Sequence, residues 1–348
     1  MKKDDHVLKD WKESEKNIDQ RTARKFVWRT RLAIGFTVIR ILLGVFLIYV
    51  LYQIPVEIYF EHSGKRAEFD RFVATVVETR HAGIEVDKLS HPRAEISPLL
   101  TQETTLPVYR QVGGWDVVVG EVKAKKRLLG KLSYTIEYNK KYIHEQMEYP
   151  YALPPDLPEL TVSYQPGELV EPAEAQLEKI PDGFVVQLQF SLKKGMKPEE
   201  LFQILNKYDV TVLQMPVYAG EIKEFETDRT TIIEDGVYTY EVPTLMLRPF
   251  VEYDEKNRLS IADHIITAEY LEESVETFYR DLSWLIEKGG YSEQELDEKR
   301  LAYLRKHGIK VFGATVTGPV REAEKLIQEE QFHKFHVTGI EVWNWYGP

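Results

Sequence analysis

The feature that most constrains this chain is a long apolar run near its N-terminus, residues 32–54, in which Arg40 is the only charged residue. A helix rises about 1.5 Å per residue, so a run of this length covers roughly the hydrocarbon thickness of a bilayer. The run predicts a transmembrane helix. It leaves a short segment, residues 1–31, on one side of the membrane and most of the chain on the other.

The charges that flank this run predict the orientation of the span. The segment just before it is rich in Arg and Lys, whereas residues 55–62 contain two glutamates and no Lys or Arg. The positive-inside rule therefore predicts a cytoplasmic N-terminus and an extracytoplasmic C-terminal part. A cleaved signal peptide is the alternative, but the run is too long and no small-residue cleavage pattern follows Tyr52. We expect a retained, single-pass anchor in the cell membrane.

Arg40 has two interpretations. An ionisable residue within a span can contact a polar partner helix. Arg40 also lies eight residues after Leu32, where a long side chain can extend back to the membrane surface. Its position favours the second interpretation.

The distribution of charge predicts different surroundings for the two ends of the chain. The formal net charge is −11, but residues 1–54 carry +5 and the remainder carries −16. Such an acidic outer part argues against nucleic-acid binding, because that affinity comes mainly from Lys and Arg on phosphates. The sequence has no cysteine, which excludes disulfides, thiol nucleophiles and cysteine-ligated metal sites.

The sequence of the part outside the membrane predicts an α+β fold that is divided into two regions. Residues 55–147 contain one amphipathic helical pattern followed by shorter β-like segments, which predicts a membrane-proximal α+β region. Residues 148–160 contain four prolines and predict an extended linker. Residues 161–348 then form the second region.

The second region contains two strand–helix–strand patterns. The stretch GFVVQLQFSL alternates apolar and polar residues, and a helical segment with Pro198 near its start and a second strand follow it. The same order returns in GIKVFGATVT, GPVREAEKLIQEEQ and FHVTGIEVWNW, where Gly318 and Pro319 predict a joint between strand and helix. The two units predict helices on one face of a mixed sheet, in a ferredoxin-like arrangement or a relative of it.

Two further helices are predicted between these units. Ser260 and Asp263 form a capping pair that predicts the start of the first helix, and Gly289 and Gly290 predict its end.

The sequence contains no motif that predicts catalysis. The phosphate-binding glycine pattern and the GxSxG elbow are both missing. His144 and Glu145 lack the second histidine of HExxH, and His333 and His336 are three apart, which places them on opposite faces of a strand. We expect a non-enzyme that has no cofactor and no metal site.

The pattern GIKVFGATVTGPVREAEKLIQ followed by GIEVWNW, together with YQPGELVEPAEAQLEKIPDGFVVQLQFSL, resembles the extracytoplasmic C-terminal domain of sigma factor regulators. In that family a basic segment and a single span, similar to RKFVWRTRLAIGFTVIRILLGVFLIYVLY, precede the outer domain. The resemblance covers roughly residues 20–348 and consists of structural rather than catalytic motifs.

The resemblance implies a membrane-anchored anti-sigma factor, or an accessory subunit of one. Its inner segment would hold an extracytoplasmic-function sigma factor or a partner membrane protein, while its outer domain responds to the state of the envelope. This chain departs from the family in having only 31 residues before the span, too few for a self-supporting domain. A short helix could still bind by folding on its partner. The partner-binding candidates are Trp11, Arg21, Arg24, Lys25, Val27 and Trp28.

Two alternatives accompany this interpretation. Phe26 and Trp28, together with the basic residues around them, fit contact with anionic membrane lipid first and a protein-binding face second. The outer part could also be a tethered extracellular binding or structural module that has no role in transcription.

Overall fold

The computed structural model describes residues 20–88, 93–139, 151–157, 172–220, 230–232, 238–240 and 244–345. The chain divides into two compact units, Met1–Tyr59 and Phe60–Pro348. The fold is α+β, with a long apolar helix near the N-terminus followed by a region rich in β-sheet.

Helix α1 (Gln20–His62) contains the whole predicted span and continues past it through Pro55. Proline has no backbone N–H, so one hydrogen bond of the helix is missing at that position. Most of the apolar side chains of α1 are exposed. By length and composition, this helix is able to cross a membrane.

The first part of the second unit, residues 65–138, is called here the small-sheet half. Helix α2 (Lys65–Glu78) buries the apolar positions that the sequence predicted at helical spacing. The strands of this half are β1 (Glu85–Val86), β2 (Glu95–Ile96), β3 (Gln102–Val112), β4 (Trp115–Lys126) and β5 (Ser133–Tyr138). Strands β3, β4 and β5 pair in sequence order, and β1 and β2 both pair with β3.

Residues 172–345 are called here the large-sheet half. They include both predicted strand–helix–strand units. Helix α3 (Ala173–Glu178) precedes the first unit, which is β6 (Phe184–Met196), α4 (Pro198–Leu205) and β7 (Thr211–Tyr218). Next come β8 (Thr230–Ile232), β9 (Tyr238–Tyr240), β10 (Leu245–Leu247), β11 (Val251–Tyr253) and β12 (Leu259–Ala262). Helices α5 (Leu271–Lys288) and α6 (Gln294–His307) lead to β13 (Lys310–Pro319), α7 (Val320–Ile327) and β14 (Phe332–Val342).

The large sheet has the strand order β10-β7-β13-β6-β14, and each of these pairings is antiparallel. The prediction of a mixed sheet is therefore wrong. The two strands of each unit are not neighbours, because a strand of the other unit lies between them: β13 separates β6 from β7, and β6 separates β13 from β14. This interleaving makes every adjacent pair antiparallel.

Two predicted details of the helix ends need correction. The capping pair Ser260 and Asp263 does not start a helix, because Ser260 lies in β12 and α5 begins at Leu271. The joint between β13 and α7 lies at the predicted place, but Gly318 is part of β13. A Cβ atom at Gly318 would lie 2.7 Å from the carbonyl oxygen of Asp209. Glycine is therefore required here by close packing rather than by a sharp turn.

Candidate functional site

The predicted partner-binding residues that the structure describes lie on α1. Arg24 and Trp28 are four residues apart, and Lys25 and Trp28 are three apart, so these side chains share one face of the helix. Phe26 lies on the opposite side. Both aromatic side chains are exposed, with fractions of 67% for Trp28 and 73% for Phe26. The result is a basic helical face with one large aromatic residue at its centre.

The remaining predicted residues are placed as follows. Val27 lies at the edge of the basic face and is half-exposed. Arg21 lies in the first turn of α1, and Trp11 lies outside the described residues. Arg40 is exposed within the apolar part of α1.

A second polar site, which the sequence did not reveal, lies on one face of the large sheet. The alternating pattern of β6 places Gln187, Gln189 and Ser191 on the same face, and all three are buried. The Gln187 amide nitrogen donates hydrogen bonds to the carbonyls of Gly83 and Gln111, at 3.1 Å each. This polar face is therefore covered by the small-sheet half rather than by solvent.

Neighbouring strands continue the same kind of contact. The Gln214 amide nitrogen of β7 donates to the carbonyl of Ile84 at 3.1 Å, and its oxygen accepts from the Gly83 amide at 2.7 Å. The Thr317 hydroxyl of β13 accepts from the Gly113 amide at 2.6 Å. The predicted linker is also held here, because the Ala152 amide donates to the Ser191 hydroxyl at 2.9 Å.

Buried ion pairs join the same two halves. Arg248, which follows β10, contacts Glu78 at the end of α2 and Asp281 of α5, with 2.7 Å between Arg248 Nη2 and Asp281 Oδ2. Lys88 Nζ lies 2.5 Å from Glu78 Oε1. Burial opposes the ionisation of Glu78, but Lys88 and Arg248 outweigh it and hold its pKa below the usual value. We call Glu78, Lys88, Arg248 and Asp281 the Arg248 cluster.

A second buried ion pair also joins the two halves. Arg80 contacts Asp297 of α6, and both side chains are buried. The Tyr291 hydroxyl donates to Asp297 Oδ2 at 3.0 Å, and Arg300 lies 3.5 Å from the other carboxylate oxygen. Burial, together with the charge of Arg80, lowers the pKa of Arg300 to about 10.

These clusters have a structural rather than a catalytic arrangement. Each carboxylate faces arginine or lysine, and a cleft beside the Arg248 cluster has room for about one water molecule. Among the described residues, no group of three His, Asp or Glu side chains is placed to hold a metal ion. His144 and Glu145 lie outside the described residues.

A signal for the buried charges was present in the sequence. Asp281 lies three residues after Phe278 and four before Leu285, on the apolar stripe of α5. Arg248 follows three buried apolar residues directly. A charged residue in such a position predicts a buried partner, but the partner's identity depends on the tertiary structure.

Residues 177–337 match the family model described as "Sigma factor regulator C-terminal". The matched region covers just under half of the chain and is similar to the C-terminal domain of sigma factor regulators. The chain is also similar to the probable anti-sigma-M factor YhdL of Bacillus subtilis (strain 168), at 22% identity over 292 residues. That similarity covers 83% of this chain and 74% of the relative. No solved structure matches the chain.

The matched region lies entirely within the large-sheet half, so its contacts with the small-sheet half extend beyond the match. Arg248, Asp281 and Asp297 lie within residues 177–337, whereas Glu78 and Arg80 precede them. Buried charges of the matched region are therefore neutralised in part by residues of the small-sheet half.

Proposed function

We propose that this protein is a single-pass membrane regulator that binds an extracytoplasmic-function sigma factor, directly or through a partner membrane protein. The observation that carries the proposal is the family match over residues 177–337. The similarity to a probable anti-sigma-M factor supports the same class of partner.

The basic face of α1 supports a binding role for the inner segment. Arg24 and Lys25 offer charge to an acidic partner, and Trp28 offers a large apolar side chain, the type that most often dominates interface energies. A helix with this composition can bind a partner groove through one face. The same cations would also lie close to anionic headgroups.

The charge distribution supports the proposed placement of the chain. Residues 1–31 would be cytoplasmic and residues 32–54 would span the membrane, because the basic segment precedes the apolar run. The acidic unit that follows would lie outside and sense the state of the envelope. The order β14-β6-β13-β7, with helices after β6 and β13, supports a ferredoxin-like assignment for the large sheet.

A pulldown tests the binding role. The full chain is compared with a chain that begins at Arg31, and we expect only the full chain to capture a sigma factor or a membrane protein bound to one. Trp28→Ala should weaken capture by about 2 kcal/mol, or about thirtyfold, as expected for an interface anchor.

Phe26→Ala is the matched control, since it removes an equally exposed aromatic residue from the opposite side of the same helix. Identical partners for the full and shortened chains would refute the binding role. They would favour instead a tethered extracellular module without a role in transcription.

A protease experiment tests the placement. Protease added to intact cells should digest the acidic unit and spare a tag fused before Met1. Digestion of the tag alone would reverse the proposed orientation.

A further inference from the structure

Two loop tips at one end of the small sheet expose leucine. The first is the turn between β2 and β3, where Leu99 is 85% exposed. The second is the turn between β4 and β5, where Leu128 is 65% and Leu129 is 99% exposed. Gln102 at the start of β3 pairs with Lys126 at the end of β4, so both tips lie at the same end of the sheet.

Leucine is unusual at both positions. The Gly130 amide donates to the Arg127 carbonyl at 3.0 Å, which places Leu128 and Leu129 at the two central positions of a β-turn. These positions normally hold Gly, Asn, Asp or Pro, which favour the turn and remain hydrated. Leu100, next to Leu99, adopts a φ of 57°, a conformation that favours glycine. Ser97 and Pro98 favour the first turn and Gly130 favours the second, so turn geometry does not require the leucines between them.

Basic residues surround the second tip. Arg127 and Lys131 flank its leucines and are exposed, and neither makes an ion pair with any residue that the structure describes. Lys125 is also exposed, although it contacts Glu103. The leucines lie at the tip and the cations lie just behind them. This order matches an anionic bilayer, in which the acyl chains lie below the charged headgroups.

The second tip lies beside the N-terminal half of α2. Lys126 Nζ lies 4.6 Å from the ring centroid of Phe72 in α2 and interacts electrostatically with Glu68 in the first turn of that helix. Residues 63 and 64 alone separate α1 from α2. The helix that packs against this end of the sheet therefore follows the predicted membrane helix by two residues of chain.

We propose that Leu99, Leu128 and Leu129 insert into the membrane that α1 crosses, with Arg127 and Lys131 bound to anionic phospholipid headgroups. This inference rests on the proposed membrane anchoring of α1. It adds a second membrane contact, made by the folded unit itself, that would fix the orientation of the sheet relative to the bilayer.

The absence of cysteine allows a direct test. Single-cysteine variants of the full chain, Leu129→Cys, Val118→Cys and Leu47→Cys, are labelled with an environment-sensitive nitrobenzoxadiazole dye. They are reconstituted in vesicles of phosphatidylcholine mixed with phosphatidylglycerol, and quenching by brominated lipid is measured. Val118 is the matched control, because it is an exposed apolar residue near the opposite end of β4.

We expect quenching at position 129 to exceed that at position 118 by about twofold or more, as for a side chain below the headgroups. Equal quenching at 129 and 118, with strong quenching at 47, would overturn this inference and leave the anchor intact. Weak quenching at 47 would instead overturn the anchor, and this inference with it.

The charge requirement is tested separately. Arg127→Gln combined with Lys131→Gln should reduce quenching at position 129 in vesicles that contain phosphatidylglycerol, and added salt should have the same effect. Quenching that is independent of both changes would overturn the role of the headgroups. Circular dichroism verifies that the variants, all at exposed positions, remain folded.

Discussion

The interior of the large-sheet half and its junction with the small-sheet half are both buried, but they are built differently. The interior packs apolar residues such as Leu188, Phe190 and Val316 against helices. The junction consists of glutamine and threonine hydrogen bonds and of the Arg248 cluster. Apolar packing tolerates many arrangements of similar volume, whereas each junction contact requires one partner in one geometry. The contrast suggests that the junction fixes how the two halves fit together.

Removing the central cation of the junction should have the largest effect. Arg248→Ala leaves Glu78 and Asp281 buried without their shared partner, and we expect a loss of about 3–5 kcal/mol in the free energy of unfolding. Urea denaturation measures it. Arg258→Ala is the control, since its ion pair with Asp254 is partly exposed and solvent screening leaves such a pair little effect on stability. Equal losses in the two variants would show that the Arg248 cluster contributes no more to stability than an exposed ion pair.

A cavity in the interior of the large-sheet half should lower the free energy of unfolding by about as much or slightly less. Leu188→Ala removes a fully buried side chain, and we expect a loss of about 2–5 kcal/mol. Ile340→Ala, at a position 46% exposed, should cost far less. If thermal unfolding showed similar losses for both, the large sheet would not be packed as described.

Breaking an uncharged hydrogen bond of the junction should lower the free energy of unfolding by a smaller amount. Gln187→Leu preserves the approximate volume but leaves the carbonyls of Gly83 and Gln111 without their donor, which costs about 1–3 kcal/mol. Gln331→Leu, at an exposed position, provides the reference. Hydrogen exchange should also accelerate at Gly113 and neighbouring amides of the junction. Unchanged exchange would argue that these contacts do not hold the halves together.

The smallest effect at neutral pH should come from His336, which lies in β14 rather than in the Arg248 cluster. Burial, aided by Lys334, lowers the pKa of His336 to about 4. The folded state thus favours the neutral ring. Its contribution to stability is complete above the unfolded pKa of about 6.5 and is lost as the pH falls towards 4. His336→Gln should flatten the pH dependence of stability in that window. Parallel curves for the two proteins would contradict this assignment.

Much of the local structure could be predicted from short stretches of sequence. The apolar face of α2, the helix after Pro198 and the end of α5 at Gly289 follow from periodicity and from residues with special backbone preferences. The start of α5 could not be predicted, because Ser260 and Asp263 form a plausible cap by spacing alone. Strand pairing of Leu259–Ala262 with β11 prevails there.

The sequence by itself determined the long apolar helix, the asymmetry of charge and the two strand–helix–strand units, because each depends on the order of neighbouring residues. Only the tertiary structure decided that the strands interleave into an antiparallel sheet, that the polar face of β6 is buried, and which acids face Arg248. The physical reason is distance along the chain. Glu78 and Arg248 are 170 residues apart, and no local pattern specifies such a pairing.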